Sequence, residues 1–104
     1  MMDELEEQKR QEKLRRLLEL KNELVVDLED ARRRRDAFDR FNKEEDISIT
    51  IKKSYDDNTR FTNLPKHIIS KVIIEIIEFK EERLAKVKEE IATEINHLAE
   101  GDKQ

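Results

Sequence analysis

Apolar residues recur at helical spacing along the first forty positions of the chain. Between about residues 3 and 43 there is no glycine or proline, and apolar residues follow one another at intervals of three, four and seven. This period places them on one face of an α-helix. The face comprises Leu14, Leu17, Leu24, Leu28, Ala31 and Phe38, and Leu18 and Val25 widen it along one edge. We therefore expect a long amphipathic helix whose buried arc is wider than a strict coiled-coil seam.

The apolar period changes to two after this helix. Ile47, Ile49 and Ile51 alternate with polar residues, as in a strand with one buried face. Turn-forming residues follow at 56–58, and Phe61 lies on the apolar side of a returning strand. The pattern predicts a β-hairpin over about residues 47–63. Because an isolated hairpin is marginally stable in water, its isoleucine face needs a cover, and we expect the following helix to supply it.

A second long helix is expected from about residue 65 to residue 99. Pro65 suits a first helical position, and Gly101 is a stop signal after the last apolar residue. The second half carries one regular seam, formed by Leu84, Val87, Ile91, Ile95 and Leu98. In the first half, apolar residues occupy about half of the circumference at 100° per residue. They are Ile68, Ile69, Val72, Ile73, Ile76, Ile77 and Phe79, with Ile74 beyond that arc.

The two helical stripes match if the chain folds back about the hairpin. Leu24 then lies near Leu84, and Leu17 lies near Ile91. The predicted fold is therefore mainly α: a single domain of two long antiparallel helices, coiled-coil-like, joined by a short β-hairpin and frayed at both ends.

The wide apolar arc of the second helix predicts self-association. One antiparallel partner covers only part of such an arc, and monomers seldom expose large apolar patches. The predicted interface of the homo-oligomer comprises Ile69, Val72, Ile73, Ile74, Ile76, Ile77 and Phe79. In the alternative interpretation, the β-hairpin alone covers the extra arc of a monomer.

Composition narrows the class of protein. Charged residues make up 46% of the chain, with Gly 1 and Pro 1, as is typical of long helices with charged outer faces. A net charge of -4 makes general nucleic-acid binding unlikely. With Cys 0, no apolar leader and no apolar run approaching the roughly 20 residues of a membrane span, a cytoplasmic protein without membrane contact is expected.

The segment ARRRRDAFDRF, residues 31–41, is the sharpest local feature. Four successive arginines step through about 300° of a helix, so they cannot all face one ligand. Arg35 continues the apolar line and therefore needs a partner. Glu75 or Glu78 of the second helix is the expected one, in an ion pair that fixes register within the chain or across a subunit boundary.

A second interpretation makes this end of the molecule a binding site. Guanidinium groups bind phosphate in a bidentate manner and stack on bases, so a compact nucleotide-like anion can be held without a metal. The candidate ligand-binding residues are Arg32, Arg33, Arg34, Arg35, Arg40, Lys52, Lys53, Tyr55 and Arg60. Interleaved acidic residues support the competing view that the cluster is simply neutralised.

No residue pattern points to catalysis or to a metal or other cofactor. His67 and His97 are about 30 residues apart with no cysteine between them, which disfavours a zinc site. Residues 56–58 lack the glycine and the distant glutamate of a calcium loop. No serine or threonine lies beside a histidine as an activated nucleophile would. We therefore expect a protein that is not an enzyme.

Two resemblances bear on function. The order helix, β-hairpin, helix resembles the β-type subunits of prefoldin, which implies a coiled-coil adaptor or a holdase for unfolded proteins. The string ISITIKKSYDDNTRFTNLPKHIISKVIIEIIEF, residues 47–79, resembles the strand, turn, strand, Leu-Pro and isoleucine-rich helix of small accessory proteins of tailed phages. That resemblance implies a non-catalytic binding protein in the host cytoplasm. Evasion of host defence is among the roles that this resemblance implies, either by sequestering a nucleotide signal or by occupying a host protein.

Overall fold

The fold is a long helical hairpin with a β-hairpin at its closed end. The computed structural model describes residues 4–40, 47–54 and 56–102. Helix α1 (Glu4–Asp39) is followed by strand β1 (Ile47–Lys52), strand β2 (Asn58–Leu64) and helix α2 (Lys66–Asp102). The helices pack against each other, and the strands form a two-stranded antiparallel sheet. The predicted fold class, two long helices joined by a β-hairpin, is confirmed.

The molecule is elongated. Helices of 36 and 37 residues are about 55 Å long at 1.5 Å per residue, and the whole chain measures 65 × 31 × 15 Å. Among the described residues, neither helix has an apolar stretch that would cross a membrane.

One apolar cluster between the two helices forms the core. It contains Leu17, Leu24, Leu28, Ile77, Leu84, Val87 and Ile91. Three ion pairs among the described residues bridge the helices beside it: Lys13 with Glu94 at 2.9 Å, Arg32 with Glu81 at 3.6 Å, and Lys80 with Asp27. These pairs agree with the antiparallel register expected from the sequence, in which residue 17 lies near residue 91 and residue 24 near residue 84.

The helix ends differ from the prediction. Helix α1 ends at Asp39 and Arg40 lies in a turn, while the expected end near residue 43 lies outside the described residues. Gly101 does not stop helix α2, which continues to Asp102. A glycine ends a helix by adopting a left-handed conformation, whereas Gly101 lies within α2. Inside a helix, glycine costs only about 1 kcal/mol relative to alanine.

Strand β2 has a bulge at the end of the hairpin next to α2. Ile47 pairs with Leu64 and Ile49 with Phe61, so three steps along β2 oppose two along β1. Asn63 within this bulge has a φ of 58°, a left-handed conformation that asparagine tolerates better than most residues. Pro65 then precedes the first helical residue, and its carbonyl accepts the amide of Ile68 at 3.1 Å.

The hairpin is not covered by the helix that follows it, contrary to the prediction. The extensive contacts among the described residues run between α1 and α2 and between β1 and β2. Ile51 and Phe61 are exposed, and only Ile47, Ile49 and Leu64 are half-buried. Pro65 alone separates β2 from α2, and connections between elements usually need several residues to fold one element back on another.

Candidate functional site

Three of the four consecutive arginines of α1 are paired with acidic side chains. Arg34 Nε donates to Asp30 Oδ2 at 2.8 Å, one turn earlier on the same helix. Arg32 Nη2 lies 3.6 Å from a carboxylate oxygen of Glu81 on α2. These contacts support the interpretation that neighbouring acids neutralise much of the arginine cluster.

Arg35 does not pair with Glu75 or Glu78. Its guanidinium lies 3.5 Å from Asp36, the next residue of α1, and its side chain remains 38% exposed. At the rim of the core the guanidinium keeps water and a neighbouring carboxylate, so it needs no partner on the other helix. The ion pairs of Lys13, Arg32 and Lys80 bridge the helices instead.

The remaining candidates for ligand binding form one group on α1 and one group on the hairpin. The α1 group contains Arg33 and Arg40, and the hairpin group contains Lys52 and Lys53 at the tip. All four side chains are exposed and form no ion pair with described residues. The two lysines line an open cleft of about 350 Å³. Arg60 donates to Ser48 Oγ at 3.3 Å on the polar side of the hairpin. The predicted contribution of Tyr55 lies outside the described residues.

These two groups do not meet within one chain. Ile47 pairs with Leu64 next to the start of α2, whereas Lys52 is at the far end of β1, about 17 Å away at the rise of a strand. No hydrogen bond or ion pair joins the α1 arginines to the hairpin in the described parts of the chain. Among the described residues, no direct contact therefore unites the two groups in one site.

Lys66 anchors the start of α2 to the end of α1. Its Nζ donates to the carbonyl of Asp39 at 3.3 Å and lies 5.6 Å from the centre of the Phe38 ring. A cation near the last carbonyls of a helix also opposes the negative end of its dipole. The only sequence signal for this role is a lysine directly after a helix-starting proline.

Four apolar residues form a second face of α2 beside the core face. Ile68, Val72, Ile76 and Phe79 are spaced by four, four and three residues, and we call them the α2 stripe. Ile76 is 45% exposed and Phe79 is 63% exposed. The stripe lies roughly 100° around the helix from the core line through Ile77.

The predicted oligomer interface is therefore only partly available. Ile69 and Ile77 are buried within the chain, at 5% and 3% exposure, and Ile73 packs against the core cluster. These three residues contribute to the fold of the single chain. Val72, Ile76 and Phe79 remain accessible on the stripe, and Ile74 is exposed on the other flank of the core.

A buried carboxylate lies near the open end of the helical hairpin. The Glu94 side chain is 11% exposed, and Lys13 Nζ approaches its Oε1 at 2.9 Å. The seam was expected to continue through Ile95, but Ile95 is exposed and Glu94 takes its place. Core positions in paired helices are spaced alternately by three and four residues, and the spacing from Val87 to Ile91 to Glu94 follows this rule. A carboxylate can occupy such a position when a lysine pairs with it.

Basic side chains surround this carboxylate. Lys9, Arg10, Lys13 and His97 line an open cleft of about 290 Å³ around Glu94. The hydrogen bond from Lys13 holds the pKa of Glu94 below its ordinary value of 4.5, and the charges of Lys13 and His97 act in the same direction. The same hydrogen bond raises the pKa of Lys13.

We expect this ion pair to lose its contribution to stability in acid. Because the pKa of Glu94 is lower in the folded chain, the contribution is complete above pH 4.5 and disappears as the pH falls through the lowered pKa. At neutral pH the parent protein should melt above the Glu94→Gln variant. That difference should shrink as the pH falls below about 4.5 and through the lowered pKa of Glu94. Thermal unfolding across this range measures it, and parallel pH profiles would show that Glu94 is not stabilised by Lys13.

Comparison of the chain with known proteins gives no relative from which a function could be inferred. No protein-family model, curated protein or solved structure matches the chain. Among the described residues, no three His, Asp or Glu side chains are grouped to hold a metal ion. The features that remain are exposed apolar side chains at the hairpin end and cations that form no ion pair with described residues.

Proposed function

We propose that the protein is a non-catalytic, homo-oligomeric binding protein, of the kind that tailed phages carry as small accessory proteins. In this proposal the copies associate through apolar residues at the hairpin end. The assembly then captures a small anionic, nucleotide-like ligand in the host cytoplasm, which counters a host defence signal.

The observation that carries the proposal is the large surface of the chain. Its accessible area is 8899 Å² at a mass of 12.5 kDa, whereas a compact monomer of that mass exposes about 6,200 Å². The excess is larger than the roughly 800 Å² that each partner buries in a standard interface. Exposed Phe61, Ile76 and Phe79 show that part of this surface is strongly apolar. Association of copies is the simplest way to remove such a surface from water.

Cations without acidic partners support an anionic ligand. Arg33, Arg40 and Lys52 are exposed and form no ion pair with described residues. Guanidinium and ammonium groups from different copies can surround a phosphate with charge-assisted hydrogen bonds. Assembly through the hairpin ends would bring together groups that one chain holds apart.

A coiled-coil adaptor or prefoldin-like holdase is the second candidate. It is favoured by the pairing of Arg32, Arg34 and Arg35 with acidic residues, which removes much of the free positive charge. The exposed apolar side of the hairpin would then bind a protein, including a host protein.

Native mass spectrometry, with the denatured mass recorded alongside, tests the proposal. The protein is measured as purified and again after incubation with a mixture of nucleoside mono-, di- and triphosphates. We expect a defined oligomer that carries an added mass of a few hundred daltons per site. A bare oligomer under both conditions would favour the adaptor or holdase, and a monomer at micromolar concentration would contradict the homo-oligomeric binding protein.

Charge reversal identifies the residues that hold the ligand. Arg33→Glu combined with Lys52→Glu should remove the added mass while the oligomer and its helicity stay unchanged. Lys86→Glu combined with Lys88→Glu is the matched control, since both lysines are exposed near the middle of α2, away from the hairpin. Equal loss of ligand in the two double variants would indicate a non-specific charge effect.

A further inference from the structure

We propose that two copies exchange hairpins: the apolar side of the hairpin of each copy packs on the α2 stripe of the other. This inference rests on the proposed self-association and specifies its geometry. The partner is a second copy of this chain, and the contact is isologous, so each copy contributes the same two surfaces.

The hairpin has one polar side and one apolar side that lacks a cover. Arg60 and Ser48 are hydrogen-bonded on the polar side. Ile49 and Phe61 are paired across the strands on the apolar side, where Phe61 is 51% exposed and Ile51 is also exposed. A two-stranded hairpin is marginally stable in water unless its apolar side packs on another element. The apolar side of this hairpin therefore requires a partner surface.

The α2 stripe is short, and its length matches that hairpin. From Ile68 to Phe79 it extends about 17 Å along the helix axis. The apolar side of β1, from Ile47 to Ile51, extends about 13 Å. Beyond Phe79 the same face of α2 continues with Arg83 and Lys86. A partner helix as long as α2 would have to cover these charges, whereas a hairpin ends before it reaches them.

The borders of the two surfaces are complementary in charge. Glu75 and Glu82 are exposed along one border of the α2 stripe, and neither forms an ion pair with described residues. Lys53 at the hairpin tip is also exposed and forms none. Opposite charges at the rim of an interface favour one orientation of the partners.

The hairpin cannot reach the stripe of its own chain. Only Pro65 lies between β2 and α2, and both surfaces are exposed in the single chain. In a two-fold pair, each hairpin is covered by the stripe of the other copy, and both apolar surfaces leave water together. These two equivalent contacts would bury the isoleucine-rich start of α2. No helix of the partner needs to pack along the whole of α2.

Cysteine cross-linking tests the exchange, because the parent chain has Cys 0. Phe61→Cys protein is mixed with isotopically labelled Ile76→Cys protein, the mixture is refolded together from urea, and a short bis-maleimide is added. We expect the mixed dimer, identified by mass, in severalfold higher yield than in a control mixture of Phe61→Cys with Val26→Cys. Val26 is exposed on α1, away from both surfaces.

The outcomes separate this inference from the proposed function. Cross-linking at the control level, with an oligomer still seen by native mass spectrometry, would overturn the exchange and leave self-association standing. A Phe61→Cys, Ile76→Cys double variant that cross-links only within one chain would also overturn it, since the hairpin would then cover its own helix. A monomer in native mass spectrometry would overturn both.

Discussion

Replacing Ile77 by glutamate should unfold the helical hairpin, even where the chain is not assembled. Ile77 is 3% exposed and belongs to the core cluster between the helices. Removing a buried isoleucine side chain costs about 2–5 kcal/mol, and a carboxylate without a partner in the same place adds several kcal/mol. Small domains are stable by only about 5–15 kcal/mol in total. Far-UV circular dichroism during urea titration should show helix loss at little or no denaturant.

Ile74→Glu is the matched control for this prediction. Ile74 is three residues earlier on the same helix and is exposed in the single chain. The same substitution there buries no charge, so the urea midpoint should stay near that of the parent. Equal destabilisation of the two variants at low protein concentration would contradict the position of Ile77 in the core.

The periodicity of apolar residues was enough to predict the elements and their order. Spacings of three and four in the helices and of two in β1 follow from backbone geometry alone. The antiparallel packing was also predictable, because a short hairpin between the helices turns α2 back along α1, and in that arrangement Leu17 meets Ile91 and Leu24 meets Leu84. The apolar residues of both helices repeat at spacings of three and four. The predicted pairing therefore does not depend on where each helix is expected to begin or end.

The choice of the buried face of α2 was not predictable from the same pattern. Ile76 and Ile77 are both isoleucines, yet the first is exposed and the second is buried. When about half of a helix circumference is apolar, composition does not distinguish two faces 100° apart. Packing in the core cluster, which also contains Leu24 and Leu28 of α1, makes the distinction. It depends on how α2 is rotated about its own axis. Near the other end of α2, Glu94 is buried and Ile95 is exposed, although the apolar pattern of the sequence favours Ile95.

The sequence also did not predict which carboxylate each arginine contacts. A long flexible side chain reaches several carboxylates, and ion pairs near the surface differ little in energy, by about 1 kcal/mol or less. Arg35 was expected to meet Glu75 or Glu78 but contacts Asp36. Arg33 and Arg40, two of the candidate ligand-binding residues, are exposed and form no ion pair with described residues.

Leu28→Ala should destabilise the chain by about 2–5 kcal/mol, because it leaves a cavity in the core that the rigid helices cannot fill. Leu28 is 4% exposed and packs in the same cluster as Ile77. Leu18→Ala makes the same chemical change on the same helix at an exposed position, and its cost should stay below about 1 kcal/mol. Urea unfolding of both variants at one protein concentration gives the comparison, since any linked association makes stability depend on concentration. Similar costs at the two leucines in dilute protein would mean that α1 presents a different face to α2.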